Sequence, residues 1–464
     1  MPAGGPADQA GSVRRVRKVL IANRGEIAVR IARACRDAGL ASVAVYAGPD
    51  RGARHAAAAD EAVPLGGDTP GRSYLDPARV LRAAVASGAD AVHPGYGYLA
   101  EDAAFAEAVT AAGLTWIGAS PAAIRLLGDK LAAREVARRA GAPLLPAMTA
   151  PAPDAAAAAA FARQHGLPVV IKAVSAGGGR SVTVARSGGE IPGAYARARR
   201  EAGAAGGTAA CFAERYLDRA RHVEAQCLAD RYGNVAVIST RDCSVQRRHQ
   251  KIVEEAPAPF LPAGLDARLR AASAAIVRAA GCAGAATCEF LLGPDGTLAF
   301  LEVNARLAVA HPVSEEVSGL DLVRETFRIA DGEALGYGDP AIRGAALQFR
   351  VYAEDPGRGF APAAGTIRAW RPPSGPGVRV DSGVGPGSAV SPAFGTLLAK
   401  LIVTGDSRAG ALRRARRALR DFEVEGVATT LPFHRWLVTQ EAFAPPPGRP
   451  FTAHAGWVEA HYQT

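Results

Sequence analysis

The sequence predicts an α/β protein that opens on a doubly wound parallel sheet, continues into antiparallel structure and closes on a smaller third part. Three observations carry this. Short apolar runs alternate with helical periodicity up to about residue 127, longer strand-like runs between 210 and 304 end in a hairpin, and a Pro/Gly-rich stretch fills 355–393. The first pattern means βα units, the second antiparallel pairing, and the third edge strands or irregular backbone.

Val19-Leu20-Ile21-Ala22 is a short buried strand, and Asn23-Arg24-Gly25-Glu26 leads into a helix over 27–38 with Ile27, Ile31 and Ala34 on one face. Strands at 42–46, 89–93 and 115–117 follow, separated by helices over 77–87 and 102–112, so a first domain spans 14–127. A second domain, 128–335, holds helices over 131–140 and 153–165, a strand over 168–173 that runs into Gly177-Gly178-Gly179, and antiparallel strands near 210–216, 222–229 and 234–242. The third domain, 336–464, is mainly antiparallel and carries an Arg-rich helix around Arg413 to Arg420.

Lys+Arg number 54 against 44 Asp+Glu, which permits a polyanionic partner without requiring one. The densest basic stretch lies on one Ala/Leu helix without interleaved aromatics, a solvated face rather than a nucleic-acid surface. No signal peptide and no uncharged apolar run of roughly 20 residues is present, so neither membrane insertion nor export is expected, and the location is cytoplasmic. Six cysteines lack ligand spacing and sit among apolar neighbours, as buried thiols do.

Asp295-Gly296 reads as a two-residue hairpin turn, pairing Pro294 with Thr297 and placing Glu289 opposite Glu302. Opposed side chains have Cβ atoms roughly 5 Å apart, where two carboxylates repel unless a cation lies between them. Oxygen donors select a hard ion, Mg²⁺ or Mn²⁺; the bland alternative is an exposed edge with two solvated glutamates. Alternation carries Asn304, Arg306, Ala308 and Ala310 onto the face of Glu302. Lysine is scarce, and Lys172 closes a strand just before the glycine run, an arrangement that suits phosphate oxygens. Together these features describe a nucleotide–metal site.

The motifs Ile21-Ala22-Asn23-Arg24-Gly25-Glu26-Ile27-Ala28, His93-Pro94-Gly95-Tyr96-Gly97-Tyr98-Leu99, Gly128-Asp129-Lys130, Arg241 to Lys251, Glu254 to Pro259 and Ala353-Glu354-Asp355-Pro356 occur in order along most of the chain. In these the sequence resembles the biotin carboxylase family of ATP-grasp enzymes, and in particular the biotin carboxylase part of bacterial acyl-CoA carboxylase α subunits. The resemblance implies a central ATP-grasp domain with a mobile lid over about 142–206, ATP and Mg²⁺ or Mn²⁺ as cofactors, and a homodimer. It further implies that Lys130, Lys172 and Gly177 to Gly179 hold phosphates, and that Glu214, Arg215, Tyr216 and Leu217 meet the adenine. His222, Gln246, His249 and Leu291 would line the nucleotide, and Glu289, Glu302 and Asn304 would hold the metal. Lys251 and Arg306 would bind bicarbonate and Arg350 would stabilise deprotonated biotin.

The departures from the family pattern fall in one place. Ala308 and Ala310 stand where the family has a bicarbonate-binding Gln and a general-base Glu, and Gly395 replaces an Asp. Losing a general base forfeits roughly 10²- to 10⁴-fold in rate. The sequence carries no Met-Lys biotinylation segment, so no covalently attached biotin is expected, and any biotin would come on a separate carrier protein, with a carboxyltransferase as further partner. Losing one acid and one amide leaves a roomier pocket whose wall is expected to be net positive. The preferred expectation is therefore a ligase that activates a small organic carboxylate as an acyl phosphate, not competent for ordinary biotin carboxylation. The alternatives are a biotin carboxylase subunit of an acyl-CoA carboxylase and an inactive ATP-binding structural subunit.

Overall fold

A computed structural model of the chain describes residues 15–174, 182–204 and 209–462. Its first sheet is wholly parallel, in the order β3-β2-β1-β4-β5, built from β1 (Lys18–Ile21), β2 (Ala41–Tyr46), β3 (Glu61–Pro64), β4 (Ala91–His93) and β5 (Thr115–Trp116). The strand at Glu61–Pro64 is absent from the sequence expectation because its residues are largely exposed and lack an apolar run. The central β1 buries Val19, Leu20 and Ile21 completely, as a strand covered on both faces must. Helix starts are marked chemically: Asp76, Asp102, Ser120 and Asp129 each accept a hydrogen bond from a backbone N–H of the first turn they precede.

Two of the sequence motifs meet where β1 and β4 end. The Asn23 amide donates to the carbonyls of Pro94 (2.7 Å) and Tyr96 (2.8 Å), and the Tyr96 hydroxyl donates to Glu26. Gly95 has φ +63°, and a Cβ there would come within 3.0 Å of the Asn23 side chain. The close approach of the two turns therefore requires glycine.

A small antiparallel sheet follows, ordered β7-β6-β8 from β6 (Val169–Ala173), β7 (Val182–Ala185) and β8 (Cys211–Arg215). The glycine run Gly177-Gly178-Gly179 lies outside the described residues. The largest sheet has eight strands. It comprises β9 (Arg221–Ala229), β10 (Val235–Asp242), the short hairpin β11 (Gln246–Arg247) and β12 (Gln250–Lys251) leading into β13 (Val253–Ala256), then β14 (Gly284–Leu292), β15 (Leu298–Asn304), β16 (Ala345–Tyr352), β17 (Val378–Ser382) and β18 (Leu397–Gly405). Apart from the β11/β12 hairpin, which pairs by itself, the order is β15-β14-β9-β10-β13-β16-β18-β17, so strands on both sides of residue 335 share one continuous sheet.

The Arg-rich segment is a helix, Arg408–Asp421, whose Ala411, Ala415, Ala418 and Leu419 pack into the last core with Phe349, Phe422 and Phe433. Its arginines are less solvated than the sequence suggests. Arg414 and Arg416 donate to the carbonyls of Thr404 and Val438, and Arg408 pairs with Glu255 while lying over Phe260, Phe443 and Phe451. All six cysteines are buried thiols. Among the described residues no helix is long and apolar enough to cross a membrane.

Candidate active site

Register places the central charges. Across four neighbouring strands Glu302 (β15) stands opposite Glu289 (β14), Glu289 opposite Glu224 (β9), and Glu224 opposite Arg241 (β10). Successive residues of a strand point to opposite faces, so residues in direct register share one, and three carboxylates fall in a row. Such a row stands only with compensating cations.

The cations come from neighbouring elements. Lys251, at the end of the β11/β12 hairpin, places Nζ 2.6 Å from Glu224 Oε2 and 2.8 Å from Glu289 Oε1. Arg241, fully buried, donates through Nε to Glu224 Oε1 at 2.6 Å and through the rest of its guanidinium to Gln226, Ser314 and Thr287. His222 Nε2 lies 2.7 Å from Glu289 Oε2, and Asn304 donates to Glu289 Oε1 at 2.7 Å. Burial alone would raise the Glu289 carboxyl, but Lys251 and His222 bring it down to about 2. Burial likewise opposes ionisation of Lys251 and Glu224, yet their mutual attraction keeps the ammonium's pKa raised and the carboxyl's well below its usual range.

The hairpin that delivers Lys251 turns on Arg248 (φ +48°) and His249 (φ +66°), both left-handed without being glycine. Backbone strain of this kind persists where surrounding structure over-determines it. Here Arg248 N–H donates to Glu459 Oε1 at 2.6 Å, from a C-terminal segment that also pairs Ala455 N–H with the Ala220 carbonyl at 3.0 Å.

All of these groups open onto one cavity of about 720 Å³. Every described residue expected to bind nucleotide lines it: Lys130, Lys172, Glu214, Arg215, Tyr216, Leu217, His222, Gln246, His249 and Leu291. So do Glu289, Glu302, Asn304, Lys251, Arg306, Arg350, Ala308 and Ala310. Lys130 opens a helix capped by Asp129 and lies 3.5 Å from Glu302, while Lys172 donates to the Glu214 carboxylate, which also pairs with Arg134 at 2.6 Å. Glu289, Glu302 and Asn304 present oxygen donors from facing strands, a set that fits a hard divalent cation. A second group, His222, Glu224 and Glu289, could also ligate on spacing alone, but the Lys251 ammonium already lies against both of its carboxylates.

Three expectations need correction. The turn at Asp295-Gly296 is not a two-residue one: Leu292 pairs with Leu298, Gly293 N–H donates to the Thr297 carbonyl, and a bulge at Leu301 restores the register by which Glu289 faces Glu302. The cavity wall is not simply positive, because Lys251 is matched by Glu224 and Glu289, Arg306 by Glu101 (3.3 Å) and Arg350 by Glu254. Gly395 lies outside the cavity residues, at φ +96° beside Phe394, whose carbonyl accepts from Arg24 and Tyr98.

Sequence reasoning missed Glu224, Glu254 and the C-terminal wall of His454, Ala455 and Gly456. The signal for Glu224 was its place in an otherwise apolar strand, Val223-Glu224-Ala225, opposite an arginine in the next one.

Comparisons with known proteins agree with this geometry. Residues 15–124 match the model of the biotin carboxylase N-terminal domain, 129–337 that of the carbamoyl-phosphate synthase L chain ATP-binding domain, and 348–448 that of the biotin carboxylase C-terminal domain. The chain is 54% identical over 449 residues to the biotin-dependent acyl-coenzyme A carboxylase alpha3 subunit of Mycobacterium leprae, covering 97% of this chain and 75% of that protein. It is 44% identical to the biotin carboxylase of a Nostoc species, covering 92% of this chain and 96% of that protein. Among solved structures, a biotin carboxylase–β-γ-ATP complex from Campylobacter jejuni superposes with TM-score 0.93 at 34% identity, covering 96% of this chain and 99% of that one. The biotin carboxylase domain of the 2-oxoglutarate carboxylase of Hydrogenobacter thermophilus, with MgADP, ADP and bicarbonate, gives TM-score 0.92 at 38% identity, covering 97% of this chain and 98% of that one.

Proposed function

Because the chain belongs to the biotin carboxylase family of ATP-grasp enzymes, an ATP-dependent ligase family, we propose that it is the biotin carboxylase subunit of an acyl-CoA carboxylase. It would activate bicarbonate with ATP and pass the carboxyl group to biotin on a separate carrier protein, a carboxyltransferase acting afterwards. A cytosolic homodimer of three domains, 14–127, 128–335 and 336–464, fits this reading.

The observation that carries it is the row Glu302–Glu289–Glu224 with Lys251 lying against two of its members. An ammonium has three N–H donors, and two of those on Lys251 are taken by Glu224 and Glu289. The third can meet a substrate oxygen, with the ammonium fixed in place before substrate arrives. Arg306, oriented by Asn304 and Glu101, supplies a second cation for a small anion, and Arg350, oriented by Glu254 and Tyr352, a third at the Ala308–Ala310 end. Lys130 and Lys172 neutralise phosphate oxygens as charge moves onto the leaving group. Magnesium, held by Glu289, Glu302 and Asn304, would add charge neutralisation at the phosphates. The test is ADP release from ATP and Mg²⁺: addition of bicarbonate and free biotin should stimulate it, and indifference to both refutes the reading.

A second reading is favoured by one specific observation. Ala308 and Ala310 line the cavity between Arg306 and Arg350, where short side chains leave room for an acid larger than bicarbonate. On this reading ATP phosphorylates an organic carboxylate, and an amine or other nucleophile captures the acyl phosphate. ADP release stimulated by an organic acid without bicarbonate would distinguish it.

A further inference from the structure

A cluster of buried titratable side chains stands next to the cavity's alanine end and is not used by the chemistry above. Glu26, 3% exposed at the start of the helix Gly25–Asp37, accepts from the Tyr96 hydroxyl through Oε1 and has Lys400 Nζ 3.4 Å away. Its second oxygen, Oε2, is buried and has no hydrogen-bond partner. Lys400, wholly buried, lies 3.5 Å from the Tyr96 hydroxyl and 3.4 Å from the carbonyl of Val309. Val309 lines the cavity between Ala308 and Ala310, so one ammonium ties the Glu26–Tyr96 pair to the wall that offers no acidic side chain of its own.

An unpartnered, fully buried carboxylate oxygen is costly to keep. Burial pushes the Glu26 carboxyl up, against the pull of Lys400, which leaves it a better proton acceptor than an exposed glutamate. Asp381, Arg350 and Lys400 are the other charged groups whose fields reach the pair.

We propose that Tyr96 and Glu26 form a proton relay for this active site, with Glu26 as terminal acceptor, in place of a carboxylate at position 310. The proposal rests on the bicarbonate reading above. As a bicarbonate oxygen attacks the γ-phosphorus of ATP, the O–H proton of bicarbonate moves to the Tyr96 oxygen and the phenolic proton moves to Glu26. The bond from γ-phosphorus to the bridging oxygen breaks, and its electron pair leaves with ADP. The products are carboxyphosphate, ADP and a protonated Glu26, which returns its proton to solvent through Tyr96 in the next cycle.

The experiment measures bicarbonate-dependent ADP release by the full chain and by Tyr96→Phe and Glu26→Gln, each also combined with Ala310→Glu. Tyr96→Phe keeps the ring, so its effect does not depend on whether the buried Glu26→Gln variant folds. The relay predicts a fall in kcat of about 100-fold or more for Tyr96→Phe, with KM for ATP unchanged. In the Ala310→Glu background, where a carboxylate is supplied directly, the same substitution should cost less than about tenfold. A kcat within about threefold of the parent chain, or an equal loss in both backgrounds, overturns the relay. If neither the parent chain nor Ala310→Glu releases ADP in response to bicarbonate, the bicarbonate reading itself fails and the relay falls with it.

Discussion

Glu289 and Glu302 face each other across β14 and β15 although the hairpin joining them is one residue out of register at its tip. Leu292 pairs with Leu298 near the turn, and the bulge at Leu301 shifts the pairing by one before the two glutamates are reached. A register slip of one residue sends a side chain to the opposite face. The bulge is therefore what brings Glu302 onto the same face as Glu289 and Glu224, where both line the cavity.

Glu302→Gln and Glu289→Gln should each raise the Mg²⁺ concentration that half-saturates ATP cleavage by about tenfold or more, equivalent to roughly 1.4 kcal/mol. A Mg²⁺ titration of initial rates at saturating ATP reads this directly, and unchanged half-saturation in both variants would remove these residues from the metal site.

Arg241→Met tests the buried compensation. It leaves Glu224 at zero solvent access with Lys251 as its remaining close cation, and breaking one side of a buried pair costs about 3–5 kcal/mol. A fall in Tm of several degrees in calorimetry is expected; Arg241→Lys should recover part of it.

Ala310→Glu together with Ala308→Gln restores a base and an amide on the cavity wall. Bicarbonate-dependent ADP release should rise by roughly 10²- to 10⁴-fold, the range a positioned general base supplies. An unchanged rate would mean that proton removal does not limit turnover.

Acid sensitivity should come from buried neutral histidines. Burial lowers His434 to about 4, His55 to about 4 and His93 to about 3. A histidine depressed in the folded state takes up protons first in the unfolded chain, so stability is fully present above about 6.5 and is lost as pH falls toward 4. At pH 5 each costs about 2 kcal/mol relative to pH 7.5. Tm should fall between these pH values, and His434→Gln should lessen the slope; a flat profile contradicts the assignment.

The sequence revealed most of this fold because its signals are local. Apolar strands such as Val19–Ile21 and capping residues such as Asp102 and Asp129 act within a few positions of themselves. The pairing of Glu289 with Glu302 was reached from a two-residue turn, and the turn's error was cancelled by a bulge that no local pattern announces. Glu224 escaped notice because its importance arises only when β9 lies between β10 and β14, a long-range pairing. Charge balance escaped for the same reason: Arg306 and Arg350 are separated in sequence from Glu101 and Glu254, the carboxylates that neutralise them.

The most direct measurement is transfer of oxygen-18 from labelled bicarbonate into phosphate during turnover with ATP and Mg²⁺. Activation of bicarbonate as carboxyphosphate predicts one labelled oxygen in each phosphate released. Phosphate formed at the same rate without label would show that water or another acid attacks ATP, and would contradict the account.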